Sequence, residues 1–390
     1  DKLNAIGIQV VHTLTCDDSL SSIVNGLEFL NSRSDLVIVS GGLGPTSDDQ
    51  TREAVAEFTR CKLVLYPEVL NKLQALFAAR SRSFDPSNNK QAHFPENAAV
   101  IPNDNGTAAG FLVQRGAQPG YLICLPGIPG ELFPMLEEGV IPLIRRELFP
   151  QLALFPRRIL RVFGVPESRL NTKLQALSLP GELAISYRAH FPEVHIILKA
   201  AGTLLSEAEL GTAAAACKQA IGEEFVYSED EARAMNGIVH ELLISRGLTI
   251  SLAESCTGGI LGSLLTELSG SSAYFLGGVL SYSNQVKVNQ LGVPKDILED
   301  HGAVSHETAK CMAQGVRERF SSSLALSVTG IAGPQGGSAE KPVGTFFVGY
   351  ADSSSTQAYQ FFFPSSREKI RTFAAWTALD ILRRRLSSCI

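Results

Sequence analysis

The sequence predicts an α/β protein of three consecutive units, and three observations carry that prediction. Strand-like runs alternate with helical periodicity through most of the 390 residues. Several of those strands run into Gly-rich turns that lead directly into helices. The composition, 45% hydrophobic and 19% charged, suits a soluble globular chain that buries several cores. The net charge of −5 offers no global basic field for nucleic acid, and no apolar run approaches a membrane span. Seven cysteines are scattered without CxxC spacing. They predict neither a disulfide framework nor a zinc site, and they suit a reducing cytoplasm.

Residues 1–150 form the first expected unit. The chain opens on "DKLNAIGIQVV", which reads as the tail of a helix running into a strand, with no signal peptide. Residues upstream of it are therefore expected. "IQVVHTL" is a predicted strand, "SLSSIVNGLEFLNS" a helix and "DLVIVSGG" a buried strand. "SDDQTREAVAEFT" is a helix capped by Ser47 or Asp48, and "YLICLPGIPGELFPMLEEGVIPLI" is strand, turn and helix. This order predicts a mostly parallel sheet covered on both faces.

Residues 151–232 read as a smaller α+β unit. "ELAISYRAH" and "EVHIILKAAG" make a strand pair, and "SEAELGTAAAACKQAIGEEF" is an Ala-rich helix. The unit has no GXXG loop and no basic surface signal, so nothing in it points to RNA. Residues 233–390 return to α/β alternation, with "NGIVHELLISRG" a helix and "LTISLAES" a strand. The basic run Arg383–Arg385 reads as a solvated last turn of the final helix.

The stretch "LAESCTGGILGSLLTEL" sets Ser255, Cys256 and Thr257 where a buried strand becomes a helix, followed by Gly258 and Gly259. Free N–H groups at a helix start suit an oxyanion or a phosphate, and glycines admit a ligand close to the backbone. A plain N-cap is the competing reading. In "YFLGGVLSYSNQVKVNQLG" a strand ends near Tyr282, Asn284 caps a helix, and Lys287 falls at its third position. There the helix dipole disfavours a protonated ammonium, which would make Lys287 a base for a Ser255 nucleophile. The bland reading is a surface lysine beside a core-edge tyrosine. "LALSVTGIAGPQGG" supplies a third turn, with Thr329, Gly330, Ala332 and Gly333. Arg367 and Arg371, four apart on the last helix, would clamp a phosphate or pair with surface acids. Cys256 activated by His306 or His301 is the rival nucleophile.

A second candidate site lies in the first unit. "SGGLGPTSDDQT" contributes Gly41, Gly42, Gly44, Pro45 and Thr46 as a phosphate cradle. Asp48 and Asp49 are candidate ligands for a divalent cation, and a capped helix is the alternative. "NDNGTAAGF" and "LPGIPGEL" add Gly106, Thr107 and Gly127.

"AESCTGG", "YSNQVK", "GAVSHETA", "VTGIAGPQGG" and "KPVGTFFVGY" together resemble the C-terminal domain of the CinA (competence/damage-inducible protein) family. That resemblance implies deamidation of nicotinamide mononucleotide to nicotinate mononucleotide and ammonia. It implies Ser255 as nucleophile, Lys287 as base and Tyr282 in the proton network. The turn at Thr257–Gly259 and the loop at Thr329–Gly333 would hold substrate, and an arginine near 367–371 its 5′-phosphate. The deamidase site would need no cofactor. The N-terminal motifs, with "NNKQAHFP", resemble the family's molybdopterin-binding-like domain. They imply ADP-ribose pyrophosphatase activity with a divalent metal such as magnesium or cobalt. Two departures stand out there: a first strand with a Gly-acidic turn is lacking, and Ala109 replaces a usual proline. The middle unit resembles the family's small KH-like domain. The resemblance further implies a cytoplasmic homodimer whose partners are small nucleotides, not nucleic acid or membrane. Two alternatives stay open: the pyrophosphatase is the main activity, or the chain is a nucleotide-binding regulator.

Overall fold

The computed structural model describes residues 2–115, 120–152, 156–180, 183–200 and 205–387. It is α/β and divides into two compact units, Asp1–Phe155 and Pro156–Ile390. Among the described residues no helix is long and apolar enough to cross a membrane.

The first unit holds β1 (Leu36–Ser40), β2 (Leu63–Leu65), β3 (His93–Pro95), β4 (Ala99–Ile101), β5 (Gly110–Gln114) and β6 (Tyr121–Leu125). Its main sheet runs β1-β6-β5-β4, while β2 and β3 pair separately. Only β1 and β6 are parallel. The expectation of a mostly parallel sheet is therefore corrected. The links from β4 to β5 and from β5 to β6 are too short for the helical crossover that parallel pairing requires. The predicted strand at "IQVVHTL" is also corrected, since residues 8–17 carry no regular structure. They join none of the ladders formed by the described residues, and Val10, Val11 and Leu14 are 49%, 52% and 47% exposed. The helix expected from Ser47 or Asp48 starts later, at Thr51, after Gln50, and has no side-chain cap. From Pro129 to Leu148 the chain is helical but partly widened to π turns. Pro134 and Pro142 lie in that stretch and cannot donate to a regular α ladder.

In the second unit, β7 (Arg157–Phe163), β8 (Leu183–His190), β9 (Glu193–Ala200) and β10 (Val226–Ser228) form an antiparallel sheet ordered β10-β7-β9-β8. The helices Glu167–Gln175 and Glu207–Ile221 share its core. The second opens with a capping box, in which Ser206 and Glu209 satisfy each other's backbone N–H.

The remaining sheet contains β11 (Ile250–Glu254), β12 (Phe275–Leu280), β13 (Leu324–Gly330), β14 (Thr345–Ala351) and β15 (Thr356–Phe362), in the order β12-β11-β13-β14-β15. β11 is parallel to both neighbours, and its five residues are all buried, as in a central strand covered on both faces. Ile250 and Leu252 face the helices Met235–Arg246, Ile260–Thr266 and Arg367–Ser387. Ala253 faces the helices Asn284–Leu291 and His306–Phe320. The C-terminal sheet is thus the middle of three layers. Phe163 of β7 also enters this core, with its ring 5.2 Å from Phe373 and 5.9 Å from Trp376. The run Arg383–Arg385 is not a solvated turn. Arg383 is buried, bonded to Asp380 at 2.7 Å and to the Glu224 carbonyl at 2.7 Å. Six described cysteines are free, and Cys389 lies outside the described residues.

Candidate active site

The parallel strands β11, β12 and β13 point their carboxyl ends to one edge, with Glu254 in register with both Leu280 and Val328. Chain crossing to either side of a central strand opens a crevice at its carboxyl end. Ser255, Ser281 and the turn after Gly330 all leave the sheet there. After Ser255 the backbone reverses through Gly258 and Gly259, at φ 60° and 99°. Side chains at these angles are strained, and a Cβ on Gly258 would lie 3.0 Å from the Arg371 guanidinium.

The helix that follows is short, Ile260–Thr266, and its amides are not free as the sequence reading required. The Glu254 carboxylate accepts N–H bonds from Gly259 (2.9 Å), Leu261 (3.2 Å) and Gly262 (2.8 Å). An oxyanion must therefore use other donors.

Lys287 and Ser255 meet. The Lys287 ammonium nitrogen donates to Ser255 Oγ at 3.2 Å and to the Ser281 carbonyl at 2.6 Å. Lys287 is 1% exposed and Ser255 8%. Burial holds the lysine below its ordinary 10.5, because the charged form loses its hydration. Cys256 would oppose this only as a thiolate, and burial pushes that thiol up to about 12. The helix cap differs from the expectation. Ser283, not Asn284, accepts the Val286 N–H, so Lys287 is the fourth helical residue and still in the first turn.

A pocket of about 190 Å3 opens on this pair, lined also by Cys256, Tyr282, Ala303, Val304, Thr329, Gly330, Ala332 and Arg367. Tyr282 stands at the rim, 66% exposed, and its hydroxyl accepts from Arg367 at 3.2 Å. Arg367 also donates to the Gly333 carbonyl at 2.6 Å. Arg371 instead grips the turn after Ser255, donating to the carbonyls of Cys256 (3.1 Å) and Thr257 (2.9 Å). Thr329 Oγ1 donates to the Ala303 carbonyl at 2.7 Å. Thr257 is fully buried, and its Oγ1 has no partner among the described residues. Asn284 is exposed and does not line the pocket.

The Cys–His alternative finds no support in the geometry. Cys256 is a buried thiol, His306 packs edge-on against Phe347 at 4.8 Å, and His301 lies 3.7 Å from Glu307. Sequence reasoning assigned no role to Glu254, Ser281, Ala303 or Val304. Their only signals were proximity to Ser255 and Tyr282, and the "GAVSHETA" motif.

The N-terminal loops assemble differently. Gly41 and Gly127 come together, since a Cβ on Gly127 would lie 3.3 Å from Gly41 Cα. Gly41 and Gly42 line a cavity of about 460 Å3, and Gly106 and Thr107 line a different one of about 520 Å3. Asp49 accepts from both the backbone N–H and the hydroxyl of Thr46, while Asp48 is exposed. A Cβ on Gly44 would collide with the Asp49 carboxylate. Lys90 donates to the carbonyls of Thr46 (3.0 Å) and Asp49 (2.6 Å), and buried Arg52 to that of Leu43 (2.7 Å). The loop is thus held by Asp49 within it and by Lys90 and Arg52 from outside it. Among the described residues the one cluster of three ligating side chains is His190, Glu193 and His195. In that cluster Glu193 already takes Arg161 at 2.6 Å.

Two family models match the chain: "CinA C-terminal domain" over residues 232–386 and "Probable molybdopterin binding domain" over residues 1–146. A CinA-like protein of Geotalea uraniireducens is 40% identical over 100% of this chain and 92% of its own length. A putative competence-damage inducible protein of Halothermothrix orenii is 39% identical over 99% and 92%. The crystal structure of a competence/damage inducible protein from Agrobacterium tumefaciens is 38% identical, covers 39% of this chain and 95% of its own, and superposes with a TM-score of 0.38. Relatives of such identity over nearly the whole length establish that the chain belongs to the CinA family.

Proposed function

We propose that residues 232–386 hydrolyse the carboxamide of nicotinamide mononucleotide, giving nicotinate mononucleotide and ammonia. The observation that carries this reading is the buried Lys287 amine 3.2 Å from the Ser255 hydroxyl. A lysine stripped of water gives up its proton more readily and can accept one from serine. Ser255 Oγ attacks the amide carbon while its proton passes to Lys287. The tetrahedral oxyanion lies toward the amides of Cys256 and Thr257, which are next in chain to the nucleophile and not taken by Glu254. Lys287 returns the proton to the amide nitrogen, the C–N bond breaks and ammonia leaves. Water then attacks the acyl-enzyme, with Lys287 taking its proton, and the ester bond to Ser255 breaks as Lys287 returns that proton to Oγ.

The pocket, about 190 Å3, is below the size that encloses a drug-sized ligand, so it suits the ring and amide rather than the whole nucleotide. Arg367 and Tyr282 at the rim then suit the 5′-phosphate.

The test is ammonia release from nicotinamide mononucleotide, with ADP-ribose as a parallel substrate and a chelator in a second series. Release that persists with chelator and vanishes in Ser255→Ala agrees with the proposal. AMP from ADP-ribose without any ammonia would overturn it.

A further inference from the structure

Glu254 is tied to both halves of the catalytic pair, to one by its carboxylate and to the other by its backbone carbonyl, without lining the pocket. Its carboxylate takes three consecutive-turn amides, those of Gly259, Leu261 and Gly262, and thereby fixes the turn that presents Ser255. Its backbone carbonyl accepts from the Ser281 N–H at 2.7 Å, and the Ser281 carbonyl in turn holds the Lys287 amine at 2.6 Å. Glu254 is 3% exposed and sits on β11 between the two strands that flank the crevice. A buried carboxylate is costly unless its oxygens are bonded, and here three N–H donors meet that need. The shortness of the helix gives the arrangement its purpose. Seven residues with no side-chain cap would fray, and the turn before them would wander with them.

We infer that Glu254 is a positioning residue for the Ser255–Lys287 pair, locking the nucleophile turn through the amides of Gly259, Leu261 and Gly262. The inference rests on the proposed Ser255 nucleophile and is independent of which amide is the substrate. It also excludes a role for those amides in binding the substrate's phosphate or oxyanion.

Glu254→Gln is the informative change. It keeps the shape but replaces one accepting oxygen by an NH2 group that faces N–H donors. Glu254→Asp is the second variant, being one methylene too short to reach all three amides. Three readouts separate positioning from mere stability. Labelling of Ser255 by a fluorophosphonate reports nucleophile alignment without any natural substrate. It should slow by about 100-fold in both variants, the size expected when a reacting group shifts by about 1 Å. Amide exchange at Gly259, Leu261 and Gly262 should quicken while the exchange of β11 and β13 stays as in the parent. With nicotinamide mononucleotide, kcat should fall by about the same factor and KM should change by less than about 3-fold. Parent-like labelling rates in the folded variants would overturn the inference, as would unchanged exchange at the three amides. Failure of the parent to label at Ser255 overturns it together with the nucleophile assignment. A parent that labels but releases no ammonia sinks only the substrate.

Discussion

Replacing Lys287 by methionine removes the amine while keeping the length of the side chain. The amine lies 3.2 Å from Ser255 Oγ, within the reach of direct proton transfer, and at 1% exposure no bulk water can stand in for it. A positioned base contributes about 10^2–10^4 in rate, which is about 3–5 kcal/mol of barrier. Ammonia release at saturating substrate should fall by that factor. The fold should suffer far less. The Ser281 carbonyl loses a 2.6 Å bond, and an unsatisfied buried acceptor costs about 1–3 kcal/mol, partly offset because a buried amine is also removed. The pH dependence is a second readout. In the unfolded chain the amine keeps its proton up to 10.5, while in the folded chain burial releases it earlier. Between those two values the unfolded state holds more protons, so stability rises with pH in that window. Activity should climb over a limb whose midpoint lies below 10.5. Lys287→Met should abolish both slopes. The assay is ammonia release and thermal unfolding from neutral pH to about 10.5. A variant within about 3-fold of parent activity would refute the assignment of Lys287 as a base that supplies about 10^2–10^4 in rate.

Other substitutions sort the remaining roles. Cys256→Ala should keep most of the activity, because a thiol held to about 12 is no nucleophile at neutral pH; loss of turnover there with survival in Ser255→Ala would reverse the two residues. Arg367→Ala should raise KM about 10-fold or more with a smaller change in kcat, since it stands at the rim. Arg371→Ala should instead lower kcat, because it frees the carbonyls of Cys256 and Thr257, and equal effects on KM in both variants would contradict the division. Glu193→Gln tests the middle sheet. Burial alone would raise the Glu193 pKa, but bonds from His195, Arg161 and Tyr227 outweigh it and hold the group at about 2. Stability from this group is therefore present above the ordinary 4.5 and lost as pH falls toward 2. The variant should lose about 3–5 kcal/mol in urea unfolding at pH 7, as a buried cation that loses its charged partner does.

The site was legible in the sequence where chemistry and strand ends coincide. Ser255 and Lys287 were readable because each lies just beyond the end of a strand, at or before the first turn of a helix, and the sheet order then brings them together. Glu254 was not readable, since a carboxylate ending a strand gives no hint that it will fold over the next helix. Arg371 was misplaced for a related reason: helical spacing says which face it shares with Arg367, not which carbonyls lie opposite. In the first unit, alternation of strands and helices did not reveal direction. Loop length decides that, and β4–β5–β6 are linked too briefly to run parallel. "IQVVHTL" has strand composition, but a strand needs a neighbour, and no described strand pairs with it. The Thr51 start of the next helix escaped because Asp49 spends its carboxylate on Thr46 instead of capping.

Phe163 belongs to the middle sheet by chain order and to the C-terminal core by packing, lying against Phe373 and Trp376. A chain severed near residue 232 would keep those two rings and lose their cover. Heat should then melt the severed half earlier than the joined one, and the bared aromatic strip would make it prone to self-association. The seam between the two sheets is a hinge in the linear sequence but a weld in the folded molecule.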